Sequence, residues 1–148
     1  MKKALLIIDV QVSAVTKPDL TAKIEDLQQK YDTVFVSIFK QKQSFLPRIL
    51  AENWVGYDDE TLAFKPKEGA VVFEKGTYSS FLPEMKNFDE IHLCGFDTDA
   101  CVYKTALDLI EANVRPIVLK DYCFSENETY HQAGLKLLER NIGKQNIK

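Results

Sequence analysis

The sequence predicts an α/β protein, a parallel sheet covered by helices on both faces. Three observations carry that prediction. Short apolar runs alternate with stretches of helical spacing along the whole chain. The runs are nearly continuous, as in strands buried on both faces. Asp9, Lys75 and Cys101 each stand at or just beyond the carboxyl end of a run, the edge where open parallel sheets bind their ligands. At 148 residues the chain can bury a sizeable core, and residues 1–148 read as one domain.

Each element has its own signal. Residues 3–9 are an apolar run ending in Asp9. Pro18-Asp19 suits a first helical turn, with Pro needing no N–H and Asp facing the dipole. Leu20, Ile24, Leu27 and Tyr31 then repeat at helical spacing. Residues 33–38 are a second strand. Residues 39–66 have a weak pattern, with a short helix over 45–50 inside a long connection. Such connections are usually functional. Residues 70–75 are a third strand and 90–94 a fourth. A helix is predicted over 98–112, with Asn113 suited to a left-handed end. A fifth strand covers 115–119. Ser125-Glu126-Asn127-Glu128 has the spacing of a capping box for a helix to about residue 140. The tail, 142–148, is either a short edge strand or frayed.

Composition narrows the function classes. A formal net charge of −3 with scattered Lys and Arg argues against a nucleic-acid partner. The apolar runs are strand-length, too short to span a membrane. The basic start reaches Asp9 too early for a signal-peptide core, so the expected location is cytoplasmic. Three cysteines, Cys94, Cys101 and Cys123, form no C-x-x-C pair and no disulfide framework. His92 and His131 are the only histidines and belong to no zinc-binding pattern. No metal and no cofactor is expected.

Cys101 carries the most chemistry. It lies where a strand turns into a helix, and unpaired N–H groups at a helix start favour negative charge. That setting lowers a thiol pKa and makes a nucleophile. An acid, an amine and a thiol at strand ends are parts for a cysteine hydrolase. Alone, each has a plainer reading: a buried small side chain, a turn residue, a surface amine. Cys94 and Cys123 lack the setting and read as structural. Phe45, Trp54, Tyr78 and Phe81 are candidates for the wall of a substrate pocket, and core or interface packing explains them nearly as well.

The ordered motifs resemble the isochorismatase-like cysteine hydrolases, a family that includes nicotinamidases and N-carbamoylsarcosine amidases. Leu6-Ile7-Ile8-Asp9-Val10-Gln11 is similar to the family's strand ending D-x-Q. Residues 75–81, Lys-Gly-Thr-Tyr-Ser-Ser-Phe, resemble its K-x-x-x-S-[AS]-F segment. Residues 95–102 resemble its G-x-x-T-x-x-C-V turn, followed by Thr105-Ala106, and 121–125 its D-x-x-x-S. The resemblance implies a three-layer sandwich with a six-stranded parallel sheet in order 3-2-1-4-5-6. It implies an Asp9–Lys75–Cys101 triad and a cis peptide at Phe96–Asp97. It further implies an oxyanion hole from the Asp97 and Cys101 N–H groups, a small-molecule substrate, and a dimer or tetramer. Nicotinamidases carry a metal-binding Asp and two His after strand two. The matching stretch here, residues 37–43, has no histidine, which argues against nicotinamidase activity.

The implied reaction is hydrolysis of an amide-type C–N bond. Asp9 takes the Cys101 proton, Lys75 holds the charges, and the thiolate attacks a carbonyl to give a thioester that water cleaves. Two alternatives stay open: hydrolysis of another bond such as an enol ether, and a non-catalytic member that binds a metabolite or protein.

Overall fold

In the computed structural model, which describes residues 1–148, five parallel strands form one sheet in the order β3-β2-β1-β4-β5. They are β1 (Lys3–Ile8), β2 (Val34–Phe39), β3 (Val71–Lys75), β4 (Glu90–Phe96) and β5 (Arg115–Phe124). The helices are α1 (Asp19–Leu27), the short α2 (Leu46–Leu50), α3 (Cys101–Glu111) and α4 (Glu128–Ile142).

The central position of β1 explains its composition. It pairs with β2 on one side and β4 on the other, and residues 4–8 are wholly buried. Its side chains alternate between two cores. Ala4, Leu6 and Ile8 pack with Val102, Ala106 and Leu109 of α3 and Leu138 of α4. Leu5 and Ile7 pack on the opposite face with Leu20, Ile24 and Leu27 of α1. The three layers follow from these two faces. The outer strand β3 is largely exposed, ending in the buried Lys75.

Three local expectations change. The sheet has five strands rather than six: beyond a 3₁₀ turn at Lys144–Asn146 the tail makes only one parallel bridge, Ile147 to Val118. Seven polar-rich residues offer too little apolar surface to hold an edge strand. β5 runs on to Phe124, past the polar Lys120-Asp121, because its backbone keeps pairing with β4 through Cys123 and Phe124. The cap of α4 is Asn127, whose side chain accepts the Tyr130 N–H at 2.9 Å. Ser125 is instead drawn to the Asp99 carboxylate.

Gly95 brings the ends of β1 and β4 together. It has φ +118°, and a Cβ there would lie 2.1 Å from the Ile8 carbonyl oxygen. Only glycine permits that approach, and it sets Asp9 beside the turn that leads from β4 to Cys101.

Candidate active site

Asp9, the first residue past β1, adopts φ 53°. Asp tolerates this left-handed region better than most residues, and such strain concentrates at functional sites. Its carboxylate is wholly buried. Oδ1 accepts the Ser37 hydroxyl at 2.9 Å. Oδ2 lies 2.9 Å from Lys75 Nζ but has no well-formed hydrogen bond. The charge of the same carboxylate raises the pKa of the Cys101 thiol. β1, β3 and α3 thus bring acid, amine and thiol together.

Lys75 is placed by its neighbours. Nζ donates to the carbonyls of Thr77 and Tyr78 at 2.7 and 2.9 Å, and β3 aims it across β2 toward Asp9. A buried ammonium needs such partners, because leaving it unpaired costs several kcal/mol, about 3–5.

A chain of hydroxyls links these groups beneath the surface. Ser80 Oγ donates to Ser37 Oγ at 2.8 Å, and Ser37 to Asp9. Ser80 N–H donates to Thr105 Oγ1 at 2.9 Å, which itself donates to the Cys101 carbonyl at 2.7 Å. Gln11 brackets Phe39 with both ends of its amide, accepting the Phe39 N–H at 2.7 Å and donating to the Phe39 carbonyl at 3.0 Å. Sequence reasoning gave Ser37, Ser80, Thr105 and Gln11 no role. Ser80, Thr105 and Gln11 stood inside the matched motifs, and Ser37 had no local signal.

The turn before α3 contains a cis peptide at Phe96–Asp97. Asp97 carbonyl accepts the N–H groups of Ala100 and Val102, both at 3.1 Å. The N–H groups of Asp97 and Cys101 have no acceptor within the protein. α4 braces this turn: Thr98 Oγ1 lies 2.7 Å from His131 Nδ1, and a Cβ at Gly134 would meet the Asp99 and Thr98 backbone at 2.8–2.9 Å. Burial lowers the His131 pKa, favouring the neutral imidazole.

The electrostatics correct one expectation. Burial, reinforced by the Asp9 carboxylate, pushes the Cys101 thiol well above its usual range, against the pull of Lys75. Desolvation outweighs the helix start, so the resting thiol is protonated. Burial also raises the Asp9 pKa, opposed first by Lys75. Asp97 is pushed up to about 7 by burial, then by Asp99, Asp9 and Glu126. Burial raises the Tyr57 phenol as well, helped by Asp9, Cys101 and Asp97.

Cys101 opens into a cleft of about 180 Å³, walled by Phe39, Leu46, Leu50, Trp54, Val55, Tyr57 and Tyr78, with Asp97 and Glu126. A smaller hollow of about 80 Å³ adjoins it and shares Val55, Tyr57, Asp97 and Glu126. Trp54 and Tyr78 therefore line the cleft, and Phe45 and Phe81 do not. Phe45 is exposed beneath the Arg48 guanidinium, and Phe81 packs on the core beside α3. Tyr57 was missed because the irregular stretch after β2 has no periodicity to fix its direction, and Phe39 because the predicted second strand stopped one residue short of it. Gln41 anchors it, accepting Trp54 Nε1–H at 3.0 Å and the Tyr57 N–H at 2.9 Å.

The residues after β2 do not fit a metal. Lys40 pairs with Glu74 at 3.0 Å and Gln41 is engaged by Trp54 and Tyr57, while Phe39, the last residue of β2, walls the cleft. No three His, Cys, Asp or Glu side chains are placed to hold an ion.

A five-stranded 3-2-1-4-5 sheet with this site at its carboxyl edge is the isochorismatase-like fold. The isochorismatase domain model matches residues 3–145, and the chain belongs to that family. An isochorismatase-like hydrolase from Alkaliphilus metalliredigens superposes with a TM-score of 0.79 at 17% identity, covering 95% of this chain and 92% of that one. The pyrazinamidase of Pyrococcus horikoshii in complex with zinc gives 0.82 at 18% identity, covering 100% and 98%. Isochorismatase family protein 2B of Dictyostelium discoideum is 31% identical over 101 residues, 57% of this chain and 47% of that protein. The chain spans about half the length of the curated relatives it matches. No helix is long and apolar enough to cross a membrane.

Proposed function

We propose that the protein is a metal-independent cysteine hydrolase that cleaves an amide-type C–N bond of a small molecule through a Cys101 thioester. The observation that carries this reading is the buried Asp9 carboxylate, 2.9 Å from Lys75 Nζ and acting on the pKa of the Cys101 thiol, where Cys101 lines a largely apolar cleft.

The resting thiol is neutral, so attack requires Asp9 to take its proton as the S–C bond forms. Lys75 then faces a carboxylic acid and a forming adduct instead of a carboxylate. The carbonyl oxygen gains its charge within reach of the free N–H groups of Asp97 and Cys101, which need no reorganisation to receive it. Asp9 returns the proton to the leaving nitrogen as the C–N bond breaks. Water next attacks the thioester, giving its proton to Asp9, which passes it to the departing Cys101 sulfur. One buried carboxylate serves both steps, which its raised pKa suits.

The nicotinamidase branch is not favoured, since Lys40 and Gln41 stand after β2 in place of ligands. Exposed Phe45, Ile49 and Val55 offer apolar surface for the dimer or tetramer we propose. Three free cysteines suit the reducing cytoplasm we propose for the protein. The test is a panel of small primary amides and carbamoyl compounds. Cys101→Ala should lose at least about 10³-fold in kcat with an unchanged melting temperature, and wild-type activity should survive exhaustive chelation. Cleavage that persists in Cys101→Ala would overturn the nucleophile.

A further inference from the structure

We propose that the cleft selects small amides whose apolar body carries a positively charged nitrogen, and turns away carboxylates. The scissile amide rests on the hydrolase reading above; the charge preference does not.

The cleft and its adjoining hollow are lined by two carboxylates, Asp97 and Glu126, and by no Lys, Arg or His. Neither carboxylate belongs to any of the five ion pairs in the molecule. Asp97 stands in the turn between β4 and α3 and Glu126 in the connection between β5 and α4, so they reach the space from two separate connections. Lys75, the ammonium of the floor, is already engaged by Asp9, Thr77 and Tyr78. An incoming carboxylate therefore meets like charge and no free cation.

The aromatic lining points the same way. Phe39, Trp54 and Tyr57 cluster with ring centroids 5.8, 5.0 and 6.4 Å apart. Aromatic faces beside carboxylates are the standard chemistry for holding an ammonium or amidinium group. Burial first, and then the carboxylates of Asp99, Asp9 and Glu126, let Asp97 retain its proton to about neutral pH. A cation there allows Asp97 to ionise at lower pH. At about 180 Å³ the cleft lies below the ~300–1,000 Å³ of drug-sized sites, which limits the body to a single ring or short chain.

Trp54 is the only tryptophan and walls the cleft, so its fluorescence reports binding without turnover. Three single-ring probes of similar size separate the charges: benzylammonium, benzyl alcohol and benzoate, titrated at pH 7.5. Benzylammonium should bind at least about tenfold tighter than benzyl alcohol, with benzoate weakest. Glu126→Gln and Asp97→Asn should each shrink the benzylammonium-to-alcohol ratio about three- to tenfold. Equal affinities, tighter benzoate, ratios unmoved in both variants, or no binding of any probe would overturn the proposal, and the wild-type ranking decides should either variant fail to fold. An enzyme that cleaves amides without this ranking would keep the hydrolase reading and lose the selectivity. The ranking without amide cleavage would do the reverse.

Discussion

The floor and the wall of the cleft are built on different principles. The floor is a closed polar network, Asp9, Lys75, Ser37, Ser80, Thr105 and Cys101, set by strand ends and the start of α3. The wall comes mostly from the irregular 39–66 stretch and holds by aromatic packing and two hydrogen bonds to Gln41. In the floor a single deletion strands a buried partner. In the wall it removes contact area and leaves the chemistry standing. In the reading proposed above, the bond cleavage belongs to the first region and the choice of substrate to the second.

Asp9→Asn should break the floor most visibly. We expect kcat to fall by about 10²–10⁴ and stability to drop by about 3–5 kcal/mol, because Lys75 loses its buried counter-charge. The same change has a signed effect on the thiol. Asp9 is second only to burial in raising the Cys101 pKa, and Lys75 lowers it. Iodoacetamide labelling of Cys101 in the variant should thus rise at lower pH than in wild type. A profile that stays put would contradict the coupling.

Trp54→Ala tests the wall. KM should rise about tenfold with kcat within about threefold, the pattern of lost uniform binding. A kcat loss as large as that of Asp9→Asn would erase the distinction between the regions.

Asp97 joins the two, and its effect is the smallest. Its folded pKa of about 7 exceeds the ordinary 3.8, so the native state holds this proton more tightly than the unfolded chain. The contribution favours folding at low pH and is lost as pH rises from about 4 to about 7. Asp97→Asn should remove that fall, on the order of 1–2 kcal/mol after solvent screening. Melting temperatures of both forms across pH 4–8 give the comparison.

Asp9, Lys75 and Cys101 of the floor were legible in the sequence, its hydroxyls Ser37, Ser80 and Thr105 were not, and the wall was legible only at Trp54 and Tyr78, for a physical reason. A strand end fixes where its next residue goes, so Asp9 and Lys75 could be placed from apolar runs alone, and the sheet order puts β1 beside β4. The wall has no period of 2 or 3.6 to translate into direction. Phe45 and Phe81 look as suitable as Tyr57 and Phe39 when only composition is visible. The thiol shows a second limit. Its position at a helix start could be read locally, but its burial and the carboxylate facing it depend on three elements meeting. The tail stayed open between an edge strand and fraying for a related reason, since its pairing depends on the short stretch of β5 edge that Ile147 reaches.

The central claim is that Cys101 becomes covalently acylated. Rapid acid quench during turnover of the best amide from the panel, followed by peptide mass spectrometry, tests it most directly. We expect the acyl mass on the peptide containing Cys101, formed before steady state, discharged by hydroxylamine and absent in Cys101→Ala. Sustained turnover with no acyl mass on that peptide, in an enzyme whose Cys101→Ala variant still cleaves the amide, would contradict the account.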